Sequence, residues 1–278
     1  MQIKHLKNIK ALVLDMDGVL WRERDPIGDL PAIFGRIRKS GLNFLMATNN
    51  GTRTPRQYVE KLAGLGVSVT PDQIITSALG AAFLLQKNLP NGSKVFVIGE
   101  DGVMQALEKA GFILSSDDAN AVVVGMDRGI TFDKLKTACL LIRKGVPFFA
   151  TNPDRTFPTP EGLIPGAGAL VAALEACTDV HPTIIGKPNP YLFEMAIQRL
   201  GLSPEEVLVV GDRLETDILG GVRAGCRTAL VLSGISTKEE ASTFEVKPDL
   251  IAPALYDLLK EAYCQKHWKA SCIFLTRI

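Results

Sequence analysis

The sequence predicts an α/β fold built on a parallel sheet. Short runs rich in leucine and β-branched residues recur along the chain, and longer amphipathic stretches of helical period separate them. Several of the short runs also end abruptly in glycine, carboxylate or amide residues. In an open parallel sheet that is the edge at which ligands bind.

In chain order, strands are expected at Ala11–Leu14, Asn43–Ala47, Val95–Ile98, Ala121–Val124, Phe148–Ala150, Val207–Val210 and Thr228–Leu232. Helices are expected between them at Pro31–Ser40, Thr54–Leu65, Gly102–Lys109, Phe132–Lys144, Pro190–Leu200 and Thr216–Ala224. Thr54-Pro55 supplies a start signal for the second helix and Gly66 follows its end. Gly99-Glu100-Asp101-Gly102 lacks the spacing of a dinucleotide loop and reads as a turn. No internal repeat or low-complexity tract interrupts the alternation. The stretch 264–278 has no clear period, and no role is assigned to it.

Composition excludes several functional classes. The 278 residues carry 31 Lys+Arg against 30 Asp+Glu, a net charge of +1, so no broad field for nucleic acid or membrane is expected. Hydrophobic residues at 46% and charged residues at 22% argue against disorder and coiled coil. The five cysteines, at 139, 177, 226, 264 and 272, form no CxxC pair and read as free thiols. Asp15 and Asp17 break the apolar run after Lys4, Lys7 and Lys10, so no signal-peptide core forms. No apolar stretch approaches the roughly 18 residues of a membrane span. A cytoplasmic location is the expectation.

Four loops carry the chemistry. The run ALVLDMDGVL ends a strand in Asp15 and Asp17, which would face the same way if the extended geometry persisted. Gly18 would then let the chain turn and bring its amides close to an anion. NFLMATNNG delivers Thr48, Asn49 and Asn50, hydroxyl and amide donors that suit a phosphate, although taken alone the segment reads first as the cap and turn before the helix at Thr54. Gly186-Lys187-Pro188-Asn189-Pro190 holds one lysine on a stiff loop. VLVVGDRLETD repeats the first pattern with Asp212, and Asp217 follows at the mouth of a helix. Each segment has a bland reading as a turn or cap. Their convergence on one sheet edge favours phosphoryl chemistry, because several acidic oxygens in one cleft require a cation and hard oxygen donors suit Mg²⁺.

Taken in order, these four segments resemble the haloacid dehalogenase superfamily, with its strand-DxDG, strand-T/S, K and strand-GD-x4-D pattern. DMDGVLWR, Thr48-Asn49-Asn50, ATNPD at 150–154, GKPNP and GDRLETDILGG are similar to its NagD-type or nitrophenylphosphatase branch. The likeness runs over about residues 8–260. It implies a Rossmann-like core, residues 1–78 and 183–263, interrupted by an inserted α/β cap at 79–182. The 136 residues between Asn50 and Lys187 exceed what one crossover needs. The resemblance further implies Asp15 as nucleophile, Asp17 as acid and base, and Thr48, Asn49 and Lys187 on the phosphoryl oxygens. Mg²⁺ would be held by Asp15, the backbone carbonyl of Asp17 and Asp212, with Asp217 on a metal-bound water.

The expected activity is therefore Mg²⁺-dependent hydrolysis of a small phosphomonoester, of nucleoside monophosphate, sugar phosphate or phosphoglycolate type, through an aspartyl-phosphate. A homodimer through the cap is a further implication of the likeness. Asn152, Asp154 and Arg155 are candidates to touch the leaving group, or simply form an Asn-Pro-Asp turn. The alternatives are a non-enzymatic phospho-acceptor module of receiver type, which would not need so long an insert, and a dehalogenase, against which Asp17 and Asp212 both speak.

Overall fold

The computed structural model describes residues 8–260 other than 24 and 160. The stretch 264–278, with Cys264 and Cys272, lies outside the described residues. Six parallel strands form the main sheet in the order Leu250–Ala252, Arg227–Val231, Val207–Gly211, Ala11–Leu14, Asn43–Thr48 and Ile74–Thr76. Ala11–Leu14 is central and buried along its whole length. Its Val13 stands opposite Val209 on one side and Leu45 on the other. A strand covered on both faces has no use for polar alternation, which is why ALVL and VLVV read as continuous apolar runs.

A second parallel sheet, of five strands, has the order Thr183–Ile184, Phe148–Ala150, Ala121–Val124, Lys94–Ile98 and Ile113–Leu114. Helix Ser77–Asn88 joins the two sheets, packing against helices Asp101–Lys109 and Tyr191–Leu200 within one apolar cluster that draws on both. Its sequence, SALGAAFLLQKN, is apolar around most of its circumference, so no amphipathic period announces it. Helix Ala167–Thr178 escapes notice for the same reason.

Each predicted strand is present to within a residue at either end. The helix expected at Thr54–Leu65 runs Pro55–Gly64 behind a capping box of Thr54 and Gln57. Asp101 already begins a helix, so the Gly99–Gly102 segment is a strand-to-helix junction rather than a free turn. The helix expected at Thr216 starts earlier, as a wide π turn over Leu214–Ile218 that precedes Leu219–Arg223. Both Asp217 and Ile218 donate their N–H to the carbonyl of Arg213, at 3.0 and 3.2 Å. This extra residue in the turn leaves Asp217 inside it. No helix among the described residues is long and apolar enough to cross a membrane.

Leu12 has no exposed surface and sits in the cluster between the main sheet and its outer helices. Leu12→Ala should cost about 2–5 kcal/mol through lost burial and the cavity it leaves. A urea melt that moves less than 1 kcal/mol, to order of magnitude, would contradict that packing.

Candidate active site

The site is built where the central strand stops. Asp15 donates its N–H to Val210 O at 2.8 Å and so continues the pairing one residue past Leu14. The chain then curls: Leu20 N–H reaches Met16 O at 2.8 Å, and Gly18 N–H reaches Trp21 O at 2.7 Å. Extended geometry therefore does not persist to Asp17. Its Oδ1 accepts the indole N–H of Trp21 at 2.8 Å. Gly18 has φ +82°, and a Cβ there would lie 2.5 Å from Asp212 Cγ. Only glycine allows both that turn and that approach.

Lys187 is 3% exposed, so it is no surface lysine. Its Nζ lies 2.5 Å from Asp15 Oδ1 and 2.6 Å from Asp217 Oδ1, and it also donates to Ala47 O at 3.2 Å. The loop bearing it hangs from the second sheet, where Gly186 N–H bonds Thr151 O at 2.8 Å. Asn49 fixes the same loop from the main sheet. Its Oδ1 accepts Lys187 N–H at 2.8 Å and its Nδ2 donates to Lys187 O at 3.1 Å, a side-chain amide replacing a strand partner. Asn49 O in turn accepts Ser77 Oγ at 2.5 Å and Asn152 Nδ2 at 2.9 Å.

Asp212 and Asp217 are 2% and 1% exposed. Asp212 Oδ2 accepts Ile235 N–H at 2.8 Å, and Asp217 Oδ2 accepts Arg213 N–H at 3.1 Å. One oxygen each from Asp15, Asp212 and Asp217 falls within 4.8 Å of the others, a donor set able to hold a hard cation. Asp17 is not in that set through its carboxylate. The pocket contains more carboxylate than one ammonium can neutralise. Burial raises Asp15 well above the usual carboxylate range, helped by Asp217, Asp212 and Asp17 and opposed by Lys187. Burial also pushes Asp212 up to about 6, with Asp217 adding to it. For Lys187 burial acts to lower the pKa, but Asp15 and Asp217 together outweigh it and hold the ammonium charged.

The remaining candidates lie on the rim. Thr48 is buried, and its hydroxyl accepts Asn50 N–H at 3.1 Å, keeping a hydrogen to donate. Asn50 Oδ1 is taken by Thr52 N–H and Oγ, at 3.0 and 2.7 Å, within the turn. From the second sheet, Asn152 packs on Asn49 and accepts Asp154 N–H at 3.1 Å, while burial raises Asp154. Arg155 is exposed. A cleft of about 500 Å³ opens beyond Thr52, with Arg53 and Gln57 on one wall and Glu100, Arg128 and Phe157 on the other. Sequence reasoning missed Trp21, Ser77 and the Ser233–Ser236 loop, in which Ser233 Oγ donates to Gly18 O at 2.7 Å. Their partners are remote in sequence or, for Trp21, four residues away on a turn that periodicity does not reveal.

A parallel α/β core with clustered aspartates and a buried lysine at one strand end is an arrangement suited to binding a hard cation and an anionic ligand together. Residues 12–113 match the family model of haloacid dehalogenase-like hydrolases, and residues 184–258 match that of HAD-hydrolase-like proteins. The 5′-nucleotidase YutF of Bacillus subtilis is 37% identical over 243 residues, 87% of this chain and 94% of that one. Among solved structures, NagD from E. coli K-12 superposes with TM-score 0.84 at 33% identity, covering 89% of this chain and 97% of its own. A glycerol phosphate phosphatase from Mycobacterium tuberculosis, in complex with magnesium, gives 0.85 at 33% identity, covering 91% and 77%. The chain belongs to the haloacid dehalogenase-like hydrolases. Within them it is a NagD-like phosphatase, a hydrolase of phosphomonoesters.

The raised Asp212 fixes a sign for pH. Its folded pKa of about 6 exceeds the ordinary 3.8, so between those values the folded chain binds more protons and loses stability as pH rises. A divalent cation favours the ionised form and opposes the trend. The thermal shift produced by millimolar Mg²⁺ should therefore be larger at pH 7.5 than at pH 5, and equal shifts would count against metal binding at these aspartates.

Proposed function

We propose that the chain is a Mg²⁺-dependent phosphatase of small phosphomonoesters that works through an aspartyl-phosphate on Asp15. The observation that carries the reading is the strand-end Asp15, ion-paired to buried Lys187 beside two further aspartates. Asp15 is held by backbone pairing and by Lys187, so one oxygen can be aimed at phosphorus without rotamer search. Attack forms the Asp15–phosphorus bond and breaks the bond to the leaving oxygen. Asp17, on the exposed side of the turn, gives that oxygen a proton and takes one from the water that later cleaves the acyl phosphate. Thr48 Oγ, the Asn49 amide and Lys187 Nζ are assigned to the phosphoryl oxygens.

The carboxylate oxygens of Asp15, Asp212 and Asp217, within 4.8 Å of one another, fit a hard divalent ion; Asp15, Asp212 and the carbonyl of Asp17 would hold it, and Asp217 would hold a water bound to it. Such an ion, when bound, offsets the repulsion between the anionic nucleophile and an anionic substrate. The second sheet serves as a cap; its edge strand Thr183–Ile184 lies just past the 79–182 bounds expected for the insert, so the cap runs on to Ile184, and the 500 Å³ cleft suits the leaving group of a nucleotide-, sugar- or glycerol-sized ester. A cytoplasmic location accords with the free thiols of Cys139, Cys177 and Cys226.

Purified chain should hydrolyse p-nitrophenyl phosphate with Mg²⁺ and lose that activity in EDTA. Stable phosphorylation without turnover would favour a phospho-acceptor module instead. Asp15→Asn should lower kcat at least about a hundredfold with the melting temperature retained, because the amide is nearly isosteric but a poor nucleophile. Wild-type rates in that variant would remove Asp15 from the mechanism. Asp17→Asn should harm an alkyl phosphate more than p-nitrophenyl phosphate, whose leaving group needs no proton; equal losses would contradict the acid role.

A further inference from the structure

Trp21 does more than fill the core. It is fully buried, and for packing alone a phenylalanine would serve. Its indole N–H, however, points at Asp17 Oδ1 at 2.8 Å. The backbone enforces that meeting: Asp17 and Trp21 form a bridge, and Gly18 N–H closes on Trp21 O at 2.7 Å, so both side chains leave the same side of a tight turn. Lys61, on helix Pro55–Gly64, places its Nζ 3.7 Å from the centre of the Trp21 ring and donates to Glu23 O at 3.4 Å. The small hairpin of Trp21–Arg22 with Asp25–Pro26 is thereby clamped to that helix. Burial lowers the Lys61 pKa, with Asp17 acting against it.

Asp17 is itself exposed, and an exposed carboxylate with no fixed donor samples several rotamers. The indole N–H is a donor only. Whatever Asp17 carries, Oδ1 remains the acceptor and Oδ2 is the oxygen left to exchange a proton with substrate. We infer that Trp21 is a positioning residue for proton transfer, committing Oδ1 of Asp17 to the indole so that Oδ2 faces the leaving oxygen. This rests on the phosphatase reading above. It adds to that reading a reason for the aromatic in DMDGVLWR and a role for Lys61, which braces the indole from outside the site.

The test uses the full chain with Mg²⁺ and compares kcat/KM, which reports steps up to departure of the leaving group, for glycerol phosphate and p-nitrophenyl phosphate. Trp21→Phe keeps the ring and deletes the donor. It should lower kcat/KM for glycerol phosphate about tenfold more than for p-nitrophenyl phosphate. Parallel losses, or none, would overturn the positioning role, whereas a wild-type protein that turns over neither ester would overturn the phosphatase reading itself. Should Trp21→Phe fail to fold, the indole N–H resonances of ¹⁵N-labelled protein decide the matter. The chain has two tryptophans, and Trp268→Phe assigns them. Asp17→Ala should move the Trp21 resonance and speed its exchange with solvent; an unchanged signal would refute the contact on which the inference stands.

Discussion

A buried excess of negative charge at the end of the central strand governs this molecule. Asp15, Asp212 and Asp217 are brought within a few ångströms of one another, and a single ammonium, Lys187, stands between two of them. Leaving that group uncompensated would be costly in a medium of low dielectric constant. Much of the surrounding structure reads as provision for it. Backbone N–H groups of Ile235 and Arg213 are turned onto Asp212 and Asp217, Gly18 has no side chain to obstruct Asp212, and Lys187 is gripped by both faces of an asparagine amide. The arrangement is stable enough to fold and still short of positive charge, which is the condition in which a divalent ion or a proton is readily taken up.

Which parts of this could be read from the sequence follows from how local each signal is. The strands that carry Asp15 and Asp212 announce themselves as apolar runs ending in carboxylates, because both the burial and the interruption lie within ten residues. The same holds for the capped helix after Thr54. Asn49 was legible only as a polar residue in a suitable place. Its actual work, holding the main chain of Lys187, depends on a partner 138 residues away. Helix Ser77–Asn88 was hidden because burial on most sides erases the amphipathic period that would mark it, and Ala167–Thr178 because its exposed face carries Ala172, Ala173 and Ala176 in place of polar residues. The π turn at Leu214–Ile218 has no local signature at all, yet it decides that Asp217 reaches Lys187 rather than lying at a helix mouth.

The two sheets meet through polar detail as well as through their shared apolar cluster. Asn152 donates to Asn49 O at 2.9 Å, Gly102 N–H donates to Thr52 O at 3.2 Å, and Ser77, at the start of the joining helix, also bonds Asn49 O. Thr52 lines the cleft assigned to the leaving group, and its N–H and hydroxyl bond the side chain of Asn50, the neighbour in sequence of the asparagine that holds the lysine loop.

The suspension of Lys187 between Asn49 and the edge of the second sheet has a consequence for modularity. Although the second sheet has the outline of a detachable unit beside the main sheet, its terminal strand runs on through Ile185 and Gly186, bonded to Ala150 and Thr151, directly into the lysine. A graft that exchanged only the sheet would cut the tether that sets the height of the ammonium above Asp15. The transferable piece is larger: it carries the Thr151-Asn152 corner and the Gly186-Lys187 loop with it, and it must land on an asparagine at position 49.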